Sequence, residues 1–116
     1  MFPQPAKPGQ NCGMITEHAL LAVKPGMEGE FEVAFGKAKS IISSMPGFQG
    51  LTLSRSVESP STYLLLVEWR TLDDHTKGFR GSAEYQEWRR LLHHFYSPFP
   101  VVEHYEQVLA VPGLPA

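Results

Sequence analysis

The chain has 116 residues, 42% of them hydrophobic and 19% charged, and ten basic against twelve acidic residues leave a formal charge of −2. That length and composition fit one domain with an ordinary core, needing no disulfide or metal as a staple. The balanced, unclustered charge excludes an electrostatic grip on nucleic acid or on an anionic membrane surface.

In chain order, the lead "MFPQPAKPGQNCG" (1–13) is rich in Pro, Gly and Gln and reads as a disordered extension. Its Cys12 is the single cysteine, so no intramolecular disulfide can form. That usage fits a reducing compartment, and a cytoplasmic location is expected. No segment has the apolar core of a signal peptide, and no run approaches the length of a membrane span.

"ITEHALLAV" (15–23) alternates and then turns apolar, as a central strand does. After the break "KPG", the residues Phe31, Ala34, Phe35, Ala38, Ile41, Ile42 and Met45 recur at three- and four-residue spacing. They predict an amphipathic helix over 27–45, stopped by "MPGF". "FQGLTLSRSVE" (48–58) alternates, with Leu51, Leu53 and Val57 on one parity. "YLLLVEW" (63–69) is the strongest strand pattern, and the pair reads as a hairpin across "SPST". Thr71 with Asp74 resembles a helix-start box, so a short helix is expected through "LDDHTKGF". Ser82 predicts a fresh N-cap for a helix striped by Tyr85, Trp88, Leu91, Leu92 and Phe95. "SPFP" ends that helix, "VVEHYEQVLAV" (101–111) is a last strand, and 112–116 is tail.

Strand, helix, strand, strand, helix, strand is the βαββαβ order of the ferredoxin-like split β-α-β fold, an α+β class. Right-handed crossovers place both helices on one face of a four-stranded antiparallel sheet, with the first and third strands central. On the third strand Tyr63, Leu65, Val67 and Trp69 point one way, and Leu64 and Leu66 the other. The helices cover only one of these faces, so a second copy is expected to cover the other, giving a homodimer through sheet faces.

The element order and the segment "VEWRTLDDHTKGFRGSAEYQEWRRLLHHFYSPFPVVEHYE" resemble the antibiotic biosynthesis monooxygenase (ABM) family of dimeric α+β barrels, over roughly residues 14–111. The marks are Val67-Glu68-Trp69 closing the third strand, His75 six residues on, and the Gly81-Ser82 break before the last helix. The resemblance implies a small oxygenase that oxidises aromatic, quinol-like or polyketide-like compounds with molecular oxygen, without metal or organic cofactor. Some members degrade haem instead. They resemble a pattern of asparagine in the first strand, tryptophan early in the last helical region and a histidine ligand one to two turns on. This chain offers His18, Phe79 and Arg89 at those places, which argues against haem degradation.

A cofactor-free oxygenase needs a base with a pKa near working pH, aromatic walls, and donors for developing negative charge. His75 and Trp69 are the expected catalytic residues, with Tyr63, His18, Tyr105 and Arg80 as expected substrate contacts. Each has a structural alternative. Trp69 fills a core, His75 caps or pairs with Asp73 or Asp74, and Tyr63 and Tyr105 pack at the sheet. His18 is a core or dimer contact, and Arg80 and Arg55 make surface or dimer ion pairs.

"RLLHHFYSPFPVVEHYE" (90–106) is the densest run of histidine and aromatic residues. Consecutive positions on a helix point about a hundred degrees apart, so His93 and His94 do not share an ion. His75 or His104 with Glu103 gives no standard ligand spacing, and no metal site is expected. The run is expected to build an interface or a pocket wall. Two functions therefore stand side by side: the oxygenase, and a non-catalytic dimeric barrel that binds a small apolar ligand or has a stress or structural role. A connected cavity lined by His75, Trp69 and a tyrosine favours the first, and packed or solvent-facing side chains favour the second.

Overall fold

The structure, a computed structural model, describes residues 14–114. The Pro/Gly-rich lead expected to be disordered, with its Cys12, lies outside the described residues. Four strands form one antiparallel sheet: β1 (Ile15–Ala22), β2 (Phe48–Arg55), β3 (Thr62–Trp69) and β4 (Val102–Glu106), in the order β2-β3-β1-β4. Helices α1 (Glu28–Ser43) and α2 (Ala83–Leu92) pack against each other on one face of it. This is the expected α+β ferredoxin-like arrangement, with β1 and β3 central.

Strand parity divides the residues. Ile15, Glu17, Ala19 and Leu21 of β1 and Tyr63, Leu65, Val67 and Trp69 of β3 are buried beneath the helices. Phe31, Phe35, Ala38 and Ile42 of α1 and Trp88 and Leu92 of α2 close over them. Fully burying one such side chain stabilises by about 1.5–3 kcal/mol, so this layer holds the fold together. Leu20, Leu64 and Leu66 face the other way, where no described element covers them.

Helix α1 stops just before Gly47, which turns the chain into β2 at φ +85°, a conformation that a Cβ disfavours. Helix α2 starts on Ser82, whose Oγ accepts the Tyr85 N–H at 3.1 Å.

Three expected elements differ in extent. The short helix around His75 is a π-helical turn, Asp74–Phe79. Its signature is the Arg80 N–H donating to the His75 carbonyl five residues back, at 3.1 Å. Thr71 Oγ1 does accept the Asp74 N–H, at 3.1 Å. The last strand ends at Glu106 rather than at 111. Glu106 pairs with Ile15, the first residue of β1, so a longer β4 has no partner left in the sheet. Strand β2 ends at Arg55 rather than at 58, and Val57 stands in the turn, 89% exposed.

Candidate active site

Between the inward face of the sheet and α2 lies a partly enclosed cavity of about 290 Å³. The sheet contributes Glu17, Ala19, Leu21 and Leu65. The π-turn contributes His75, Phe79 and Arg80, and α2 contributes Tyr85 and Trp88. His93, Tyr96 and Phe99, from the chain that follows α2, complete an aromatic wall. A larger groove of about 490 Å³ between α1 and α2 is open and lined by Val33, Lys37, Arg90 and His94 among others. It holds no buried charged group, which the first cavity does.

That group is Glu17, a carboxylate near the start of β1 that is only 6% exposed. Its Oε1 accepts the Trp69 Nε1–H at 2.9 Å and lies 3.2 Å from His75 Nε2. The other nitrogen of His75, Nδ1, is 2.7 Å from His104 Nε2. A single proton sits between those two nitrogens, carried by one or the other tautomer. Four elements meet here for simple reasons. His104 stands opposite Glu17 in the β1–β4 register. The extra residue of the π-turn turns both His75 and Phe79 inward. The His75 ring stacks on Trp69 with centroids 5.4 Å apart and planes 17° from parallel.

Burial sets the electrostatics. It pushes the Glu17 carboxyl above its usual range, against the pull of the Trp69 N–H and of the Arg80 charge. It pushes the His75 imidazole down to about 3, helped by Arg80 and then His104. His104 moves down for the same two reasons, burial first and Arg80 second, and burial raises the Tyr96 phenol. Across neutral pH His75 is therefore an uncharged imidazole, able to donate on one side and accept on the other. The arrangement can take a proton from a bound molecule, pass it along, and present a cation, Arg80, to developing negative charge.

The six residues named from sequence separate into two groups. His75, Trp69 and Arg80 meet at this cavity, although Trp69 is fully buried and packs behind Glu17 and His75 rather than on the lining. His75 pairs with Glu17 and His104, not with Asp73 or Asp74. Tyr63 faces the helices but sits toward the far end of β3, where its hydroxyl donates to Glu32 at 2.5 Å. Burial and Glu32 hold that phenol up at about 12. His18 and Tyr105 lie on the opposite face of the sheet, edge-on to each other at 5.4 Å. Adjacent positions along a strand point to opposite faces, so His18 is turned away from Glu17 and Tyr105 away from His104.

Glu17 and His104 were missed. The signal for Glu17 was available: it is the one charged residue on the inward parity of β1. Among the described residues, no three His, Cys, Asp or Glu side chains are placed to hold a metal ion together. No described helix is long and apolar enough to cross a membrane.

Comparison with known proteins agrees with the fold. Residues 14–91 match the family described as antibiotic biosynthesis monooxygenase. The uncharacterized protein YczJ of Bacillus subtilis is 58% identical over 95 residues, 82% of this chain and all of YczJ. A family structure from Bordetella bronchiseptica is 41% identical with a TM-score of 0.80, over 84% of this chain and 99% of that one. SnoaB, a cofactor-independent oxygenase from Streptomyces nogalater, shares the fold at 19% identity and a TM-score of 0.71, over 87% of this chain and 99% of SnoaB. The chain belongs to the antibiotic biosynthesis monooxygenase family.

Proposed function

We propose that the protein is a cofactor-independent monooxygenase acting on an aromatic, quinol-like or polyketide-like small molecule in the cavity beneath α2. The observation that carries this reading is Glu17. A buried carboxylate held by Trp69 and His75 on the wall of an aromatic cavity is costly to keep unless it is used. The substrate supplies the electrons. An acidic ring position loses a proton to Glu17, and the resulting anion reduces dioxygen and takes up one oxygen atom. For a ring methylene beside a carbonyl the balance is CH2 + O2 → C=O + H2O. Arg80, at the exposed rim, opposes the negative charge that develops, and Phe79, Tyr85, Trp88 and Tyr96 hold a flat ring.

SnoaB is named as a cofactor-independent oxygenase, which makes chemistry of this kind compatible with the shared fold. We further propose a cytoplasmic homodimer, with two sheets facing each other through Leu20, Leu64 and Leu66. Oxygen uptake with a panel of hydroquinones and anthrones tests the function. Uptake is expected with wild type and is lost in folded Glu17→Gln and His75→Ala variants. Absence of uptake with every compound, or uptake that survives both substitutions, overturns the reading and favours a non-catalytic ligand-binding barrel.

A further inference from the structure

Oxygenation that begins by removing a proton has a second requirement besides a base. The proton must leave the buried base in the partly enclosed cavity, and one must return when the bound peroxide loses its outer oxygen as water. Glu17 cannot do this alone, because it is 6% exposed. What adjoins it is a line of hydrogen-bonding atoms: Glu17 Oε1 to His75 Nε2 at 3.2 Å, then His75 Nδ1 to His104 Nε2 at 2.7 Å. His75 is 2% exposed and uses both ring nitrogens within that line. His104 is half-buried on the edge strand β4, and its Nδ1 is neither buried nor bonded to protein among the described residues. At the cavity end, Glu17 Oε2 likewise has no protein partner among the described residues.

We propose that Glu17, His75 and His104 form a proton relay between the cavity and solvent, with His104 as its outlet. This rests on reading the cavity as the site of base-initiated oxygenation. In the outward sense, the Glu17 carboxylate takes the substrate proton and passes it to His75 Nε2. His75 Nδ1–H then passes to His104 Nε2, and His104 Nδ1–H passes to water. The His75–His104 hydrogen bond reverses, Glu17 ends as the carboxylate it began as, both histidines end neutral, and one proton has left. The inward sense is the same sequence run backwards. It delivers one proton to the outer oxygen of the substrate peroxide and resets the line. No step places a charge on the buried histidine, which its depressed pKa forbids. The one full charge that bears on all three groups is Arg80. It disfavours a trapped imidazolium and so favours passage over storage.

The test separates proton export from oxygen chemistry by using anthrone as the probe. Under nitrogen in D2O, wild type is expected to accelerate deuterium incorporation at the anthrone methylene. His104→Gln is expected to slow it at least about tenfold, and added imidazole to restore it in proportion to its concentration. A His104→Gln variant with the wild-type thermal midpoint shows that folding is not the cause, and structural damage alone would not respond to imidazole. Exchange at the wild-type rate in His104→Gln, a loss that imidazole leaves unchanged, or no acceleration by wild type each overturns the relay. In air, uptake by wild type and by His104→Gln at equal rates overturns the relay and leaves the oxygenase standing. Exchange that depends on His104 without any oxygen uptake does the reverse.

Discussion

Glu17 and His75 are displaced by one cause in opposite directions: burial penalises the charged form of each. The sign of the resulting pH dependence follows from linkage. An unfolded His75 titrates at about 6.5, whereas the folded imidazole is held down to about 3. Below pH 6.5 the unfolded chain gains a proton that the folded chain refuses, so stability falls with pH. One pH unit is about 1.4 kcal/mol, so acidifying from pH 6.5 to 5 costs roughly 2 kcal/mol through this residue. Glu17 works the other way. With its folded pKa raised, its contribution is fully present below about 4.5 and is lost as pH rises through the folded value. Urea midpoints measured at pH 7 and pH 5 should therefore drop more in wild type than in His75→Gln. Equal drops in the two proteins would show that His75 is not a buried neutral imidazole.

At the scale of elements, the π-turn decides where His75 goes, and Gly81 decides whether that turn forms. A Cβ at position 81 would stand 2.5 Å from the Lys77 carbonyl oxygen, the same oxygen that accepts the Gly81 N–H at 3.1 Å. That is backbone, so it moves only if the turn moves. Gly81→Ala is expected to cost about 1–3 kcal/mol in urea denaturation and to lower oxygen uptake by shifting His75 from Glu17. Unchanged stability and uptake would show that the turn tolerates the extra atom. The same element marks how far the sequence could be read. Apolar spacing of 2 and 3.6 residues located every strand and both long helices, because one-sided burial prints that period directly. The resemblance added His75 and Trp69. Parity in β1 already carried Glu17 on the buried side, but a lone carboxylate there has no partner until register is known. His104 became legible only when β4 was set against β1, with the two residues opposite each other. The π-turn was hidden, since one extra residue per turn leaves no periodic trace in six residues.

For the whole molecule, the sheet has one face too many. Leu20 is 53% exposed at the middle of a central strand. Leu64 pairs beside it, and Leu66 stands opposite His18. Past the end of β4, Val108, Leu109, Val111 and Leu114 are each at least 80% exposed. A single copy leaves this apolar surface in water, at roughly 25 cal/mol for every Å² that burial would remove. A two-fold pairing of sheet faces brings the leucines of two copies together, whereas the cavity opens on the helix side and stays free. Light scattering after size exclusion at micromolar concentration is expected to give twice the 13.0 kDa chain mass. Leu20→Glu is the informative variant. In an isolated copy the side chain is more than half in water, so the change costs little. In the pair it sets two carboxylates in an apolar contact and is expected to give monomers that keep the wild-type circular dichroism. A wild-type protein that runs as a monomer, or a Leu20→Glu protein that still runs as a dimer, would place the contact elsewhere.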